Sequence, residues 1–153
     1  MEQKTIAVLP SGIHNVVPAS NKMLANVISD GNGCLISEYG LNEDAAQYTY
    51  IRRDALVAAL SDGILVIECG AKSGTMHTVE AALNMKKPVV CYYTDRGGDY
   101  SGNKKLIDEG KANALSSPED ILKFTDQIRQ SKYNALSHGK QLDLYAEIGS
   151  ELQ

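Results

Sequence analysis

The sequence predicts an α/β protein: a mostly parallel sheet of about five strands, covered by helices on both faces in a three-layer α/β/α sandwich. Three observations predict it. Short apolar segments alternate with helical patterns along the chain, the order that builds parallel sheets from strand–helix–strand units. The strand segments are nearly continuous apolar runs, as in strands buried on both faces. Polar and small residues collect where those runs end, and in such sheets the ligand sits at the carboxyl ends of the strands.

The strand candidates are residues Thr5–Leu9, Cys34–Ser37, Ile64–Cys69, Pro88–Tyr93 and Ala112–Leu115. Between them, residues Asn21–Asp30 place Met23, Leu24, Val27 and Ile28 at helical spacing. Residues Arg53–Leu60 do the same with Leu56, Ala59 and Leu60, and Thr75–Lys86 with Met76, Val79, Ala82 and Leu83. Ser117-Pro118-Glu119-Asp120 reads as a helix start, with a capping hydroxyl, Pro at the first helical position and acids in the first turn. Ile121, Leu122, Phe124 and Ile128 follow on that helix. Residues Asp95–Asn103 read as a mobile Gly-rich loop. The expected organisation is a domain over residues 1–130 and a helical tail over 131–153, packed on the domain or on a partner. Within the tail, Ser137–Lys140 reads as a turn, and a last helix carries Leu142, Leu144, Tyr145 and Ile148.

Composition bounds the function. The 153 residues suit one domain with a real core, and 43% apolar with 22% charged residues is ordinary for a soluble globular protein. A net charge of −4 excludes a general electrostatic nucleic-acid binder; contact with DNA requires a local basic patch working against the global field. Cys34, Cys69 and Cys91 are odd in number and form no C-x-x-C pair, so they read as reduced, buried thiols of a cytoplasmic protein. No secretory signal is expected ahead of Thr5, and no apolar run approaches the roughly 18–20 residues of a membrane span. His14, His77 and His138 are scattered without ligand spacing, so no metal and no cofactor is expected.

The chemistry concentrates in Glu68-Cys69-Gly70-Ala71-Lys72-Ser73-Gly74-Thr75. An apolar run, Ile64-Leu65-Val66-Ile67, precedes it and a helical pattern follows. A strand–turn–helix junction aims free backbone N–H groups and the positive end of a helix at one spot, which suits a phosphate. Gly74 admits a ligand to the backbone, Ser73 and Thr75 offer hydroxyls, and Lys72 adds charge. The run is neither a P-loop nor a G-x-G-x-x-G fingerprint. The structural alternative is a plain turn with Ser and Thr as caps. Glu38, Glu68 and His77 fall where they can line the same pocket.

These motifs together resemble the DprA/Smf family of DNA-processing proteins, over about Thr5 to Leu122. Thr5–Gly12 is similar to its strand and glycine turn, with Pro10 at the turn Gly; Val17-Pro18 and Asn21 to its Tyr-Pro-x-x-Asn; Leu35–Tyr39 to its Ile-Ser-Glu-Tyr. Tyr50–Ser61 resembles Phe-Pro-x-Arg-Asn-Arg-Ile-Ile-x-Gly-Leu-Ser, with Asp54 and Ala55 at the Asn and the second Arg. Lys72–Thr75 matches Lys-Ser-Gly-Ser, and Gly102-Asn103, Leu106-Ile107, Gly110 and Pro118–Ile121 fit the last third. Two front motifs of the family are not found, so either the domain is shortened or Thr5–Gly12 serves as its first strand.

The resemblance implies a Rossmann-like domain that binds single-stranded DNA, forms a homodimer and hands the strand to a recombinase, with no established enzymatic step. It implies phosphate contacts at Ser11, Gly12, Arg52 or Arg53, Lys72, Ser73, Gly74 and Thr75; Tyr39, Tyr50, Tyr92 and Tyr93 can either stack bases or pack at the core edge and sheet. One alternative is a module that binds or senses a small nucleotide. Another is a phosphoribohydrolase like the LOG proteins of the wider superfamily. Those carry Glu in the helix after this turn, where Thr78 stands here; Glu80 is about 200° around the helix from it.

Overall fold

The computed structural model describes residues 4–31, 33–94 and 97–137. The chain divides into two units, Met1–Val57 and Ala58–Gln153. Both are α/β with parallel pairing throughout, the fold class expected.

In the first unit, β1 (Ile6–Val8) pairs in parallel with β2 (Cys34–Ile36), with Ala7 opposite Leu35. A 3-10 turn over Ala19–Asn21 leads into α1 (Lys22–Asp30). Leu9, Val16 and Ala25 form the core there, with Leu35 against it. Of the apolar positions on α1, Met23, Leu24 and Val27 remain exposed. Cys34 is exposed as well, against the expectation of a buried thiol; it opens a short strand with a single paired neighbour. Helix α2 (Gln47–Leu60) begins six residues before the expected Arg53. The aromatic and β-branched residues Tyr48, Thr49, Tyr50 and Ile51 are modest helix formers. Buried Thr49 overrides that preference: its hydroxyl donates to the Ala46 carbonyl at 2.7 Å and accepts the Ala46 N–H at 3.0 Å, closing the first turn.

In the second unit, β3 (Ile64–Val66), β4 (Val89–Tyr92) and β5 (Asn113–Leu115) form a parallel ladder in sequence order. Helices α3 (Thr75–Asn84), α4 (Ser101–Asp108) and α5 (Pro118–Ser137) complete it. Val79, Cys91 and Leu106 are fully buried at its centre, and burying a side chain such as Val79 or Leu106 contributes about 1.5–3 kcal/mol. Lys87, just ahead of β4, donates its ammonium to the carbonyls of Ala58, Ala59 and Ser61 and so caps the end of α2. Burial pushes this ammonium below the usual lysine range, with Asp62 opposing. Helix α3 ends with Lys86 in the left-handed region (φ 58°), and α4 ends with Gly110 there (φ 66°). In both, two carbonyls of the last turn are satisfied from beyond it, by Lys86 and Lys87 in one case and Gly110 and Lys111 in the other.

The sequence places residues Asp95–Asn103 in a loop; the structure starts α4 inside that range, at Ser101. The Asp99 carboxylate stabilises this start by accepting the Ser101 N–H and hydroxyl. Asp95 and Arg96 lie outside the described residues. Helix α5 starts as expected, with a reciprocal cap: Asp120 accepts the N–H groups of Ser116 and Ser117, and Ser117 Oγ accepts the Asp120 N–H. The Ser117 hydroxyl also donates to Asp120 Oδ2 at 2.8 Å, and this bond first, with the Ser116 N–H next, holds the Asp120 carboxyl well below the usual range. The helix continues without a break past residue 130 to Ser137. Phe124 and Ile128 pack over Gly63, where an added Cβ would lie 2.9 Å from Phe124 and 3.1 Å from Ile128. The expected turn beyond Ser137 and the final helix around Leu142, Leu144, Tyr145 and Ile148 lie outside the described residues.

Candidate functional site

The loop after β3 is shaped by one buried amide. Asn103, fully buried on α4, accepts the Cys69 N–H at 2.9 Å. Its NH2 group donates to the carbonyls of Val66, Ile67 and Tyr92 at 2.9–3.3 Å. One side chain thus ties the carboxyl ends of β3 and β4 to α4. Gly102 permits the approach: an added Cβ would lie 2.6 Å from Cys69 Sγ and 2.8 Å from the Cys69 and Gly70 carbonyl oxygens. Burial, with the Asp99 charge, pushes the Cys69 thiol up, so it is an inert packing group rather than an activated one.

The loop then turns back on itself. Ser73 N–H donates to the Gly70 carbonyl at 3.0 Å, and Ala71 N–H to Ser101 Oγ at 2.9 Å. Ser73 Oγ accepts the Thr75 N–H at 3.2 Å and donates to Thr75 Oγ1 at 3.1 Å, so the capping role open to Ser73 is realised. The backbone N–H groups of Lys72 and Gly74 have no hydrogen-bond acceptor among the described residues. Gly74 has an ordinary helical φ of −55°, and a Cβ there would meet nothing within 4 Å. The glycine is therefore not demanded by backbone strain; it leaves the start of α3 open. Lys72, Gly74, Thr75 and His77 are exposed, and Ser73 is half-buried.

Two open grooves meet at Asp99 and Ser101. One, of about 470 Å³, is lined by Gly70, Ala71, Lys72, Ser73, Asp99 and Ser101. The other, of about 420 Å³, shares Asp99 and Ser101 and adds residues including Tyr93, Tyr100 and Lys104. Tyr92 and Tyr100 meet edge-to-face, 6.4 Å between centroids. Asp99 Oδ1 accepts from Ser101 N–H at 3.1 Å and Ser101 Oγ at 2.6 Å, and these bonds hold the carboxyl below the usual carboxylate range. Glu68 faces the same corner, its Oε1 accepting the Asp99 N–H at 3.1 Å. A carboxylate thus shares the groove with Lys72 and Ser73.

In the first unit the nominated residues divide. The Ser11 side chain is fully buried and donates to the Asn15 carbonyl at 2.6 Å, while its own carbonyl accepts Ser37 Oγ–H at 2.7 Å. Gly12 N–H donates to the Glu43 carbonyl at 2.9 Å, and a Cβ at Gly12 would overlap the carbonyl oxygens of Gly40 and Leu41. Both residues are spent on packing this loop. Arg53 is paired with Asp54 at 2.9 Å, reaches the Val8 carbonyl at 3.4 Å and lies 5.9 Å over the Tyr50 ring. Arg52 is exposed and has no ion pair among the described residues. It lies near Tyr39: burial pushes that phenol up, and the Arg52 charge opposes it, with Glu38 and Tyr48 also close. Glu38 is exposed.

Lys72, Ser73, Gly74, Thr75 and Glu68 lie in the second unit, and Arg52, Tyr39 and Glu38 in the first. Asp99 and Ser101 line the groove and Asn103 holds its loop, and all three sit in the stretch that the sequence reads as a loop. Tyr48, exposed one turn ahead of Arg52, was missed because the helix was taken to start at Arg53. The spacing of Tyr48 and Arg52 carries the signal once α2 is known to include both.

The chain is similar to known proteins over most of its length. Residues 1–126 match the family model of DNA recombination-mediator protein A. The chain is 33% identical to Protein Smf of Escherichia coli over 119 residues, 77% of this chain and 32% of that protein. It is 32% identical to DNA processing protein DprA of Streptococcus pneumoniae over 120 residues, 78% of this chain and 42% of that one. The chain therefore spans about a third to two-fifths of these relatives' length. The X-ray structure of the Streptococcus pneumoniae protein superposes with a TM-score of 0.69 at 31% identity, covering 78% of this chain and 42% of that one. The structure of DNA processing protein A from Helicobacter pylori, which describes that protein's single-stranded DNA binding mode, also superposes at 0.69, with 22% identity over 85% and 57% of the two chains. By motif order, fold and family match together, this chain belongs to the DNA recombination-mediator protein A (DprA/Smf) family and carries its Rossmann-like α/β fold.

Proposed function

We propose that this chain is a DNA-processing module that holds the backbone of single-stranded DNA at the loop between β3 and α3. Lys72 supplies charge, the free N–H groups of Lys72 and Gly74 donate to phosphate oxygens, and Ser73 and Thr75 contribute hydroxyls. The observation that carries the reading is this loop: donors uncommitted and backbone open at Gly74, beside a groove of about 470 Å³. Exposed Arg52, with Tyr39 and Tyr48 nearby, adds a cation and aromatic surface on the first unit, the pairing that suits an unstacked strand. Ser11 and Gly12 shape their loop rather than touch the strand, and Arg53 acts through its pair with Asp54. Homodimerisation, delivery of the strand to a recombinase during uptake or recombination, and a cytoplasmic setting belong to this proposal through family membership. Among the described residues no helix is long and apolar enough to cross a membrane. Anisotropy of a labelled oligonucleotide tests the reading: binding at low salt that weakens at moderate salt is expected, and no binding at low salt overturns it.

One observation favours a free nucleotide as ligand. Asp54 neutralises Arg53, which leaves little positive charge for a long polyanion. A thermal-shift screen with mono- and dinucleotides tests this; a flat response across the panel removes it.

A further inference from the structure

The groove beside the β3–α3 loop is not a plain anion cradle. Asp99 lines it together with Lys72 and Ser73, and Glu68 is bonded to the Asp99 backbone at its edge. Asp99 Oδ1 is committed to Ser101, whereas Oδ2 has no hydrogen-bond donor among the described residues. The groove itself carries one ammonium, Lys72, and one carboxylate, Asp99; Glu68 lies at its edge, and Lys104 lines the neighbouring groove that shares Asp99 and Ser101. Repulsion from one fixed carboxylate acts on each ligand charge, so a terminal phosphate bearing nearly −2 is penalised twice as much as an internal phosphodiester bearing −1.

We propose that Asp99 is a specificity-determining residue that makes this groove select internal phosphodiesters over terminal phosphomonoesters. The inference rests on the anion-binding reading above and names its ligand class: the interior of a strand, not a free nucleotide or a phosphorylated end. Seen this way, the acidic corner serves function. It lets a protein of net charge −4 hold a strand at Lys72 without being occupied by the nucleoside phosphates around it.

The test is a pair of titrations, with the dinucleotide TpT (one diester, no monoester) and with thymidine 5′-monophosphate, on the full chain and on Asp99→Asn. Asparagine keeps the Oδ1 acceptor for Ser101 and removes only the charge. With one unit of charge felt across a solvated groove, the diester should gain roughly fourfold and the monoester roughly the square of that, so their ratio shifts about fourfold. Equal gains for both ligands, or none, overturn the proposal. The unmodified protein gives a second measurement: its preference for the diester must shrink as salt screens the carboxylate, and a salt-independent preference overturns the proposal too. Lys72→Met separates the two levels. If it weakens both ligands while Asp99→Asn leaves their ratio unchanged, the selectivity proposal alone fails. If it weakens neither, the binding site itself is misplaced and both fail.

Discussion

The loops after β1 and after β3 look alike as sequence and behave oppositely as structure. Pro10-Ser11-Gly12 and Lys72-Ser73-Gly74 each follow an apolar strand and each pair a serine with a glycine. In the first, the Ser11 hydroxyl and the Gly12 N–H are consumed by the chain, and no room exists for a Cβ at Gly12. In the second, two N–H groups are uncommitted and Gly74 faces open space. A glycine after a strand thus has two physical meanings, close packing or open access. They predict opposite costs on substitution.

The largest test is that pair of glycines. Gly12→Ala should destabilise by about 3 kcal/mol or more, because backbone must move to admit the methyl group, whereas Gly74→Ala should stay within about 0.5 kcal/mol. Urea unfolding of both variants reads the difference, and similar midpoints would erase the distinction. Next, Asn103→Ala should cost about 2–4 kcal/mol by leaving the Cys69 N–H and three carbonyls without their partner. Its loss should also raise hydrogen exchange at Cys69 and Ala71, locating the effect in the open loop. Ser11→Ala should cost about 1–2 kcal/mol, since the half-buried Asn15 carbonyl loses a donor that is itself fully buried; the half-buried counterpart Ser73→Ala should cost less than about 1 kcal/mol and weaken oligonucleotide binding instead. Lys72→Met should leave the unfolding midpoint in place and lower the salt slope of binding by about one.

The smallest effect is a titration. The Ser101 hydrogen bonds depress the Asp99 carboxyl in the folded state, so their contribution is fully present above its unfolded value near 3.8 and is lost as pH falls through the lower folded value. In an NMR titration, the Ser101 amide should shift with an apparent midpoint below 3.8. A midpoint above that value would mean that Asp99 is not held by Ser101.

Much of the fold was legible locally. Runs such as Val89-Val90-Cys91 and the Ser117–Asp120 cap state their conformation within a few residues, because apolar period and capping chemistry act at short range. The start of α2 was not legible. Tyr48–Ile51 have weak helix preference, and the hydroxyl of Thr49 decides the matter only once it is buried. The start of α4 escaped for a related reason. Gly97, Gly98 and Gly102 read as loop, yet Gly102 is there to let α4 approach Cys69 and Gly70.

By itself, the sequence determined the alternation of strands and helices, the family and the run from Glu68 to Thr75 as the place of interest. These depend on periodicity and motif order, which are written in neighbouring residues. Only the tertiary structure decided which loop is open and which is packed, that Arg53 is spent on Asp54, and that Asp99 shares the groove with Lys72. Asp99 is 27 residues from Lys72 in sequence, and only the return of the chain through α3 and β4 brings the two to one groove. Charge acts through space rather than along the chain, so the electrostatic character of the site was set by packing.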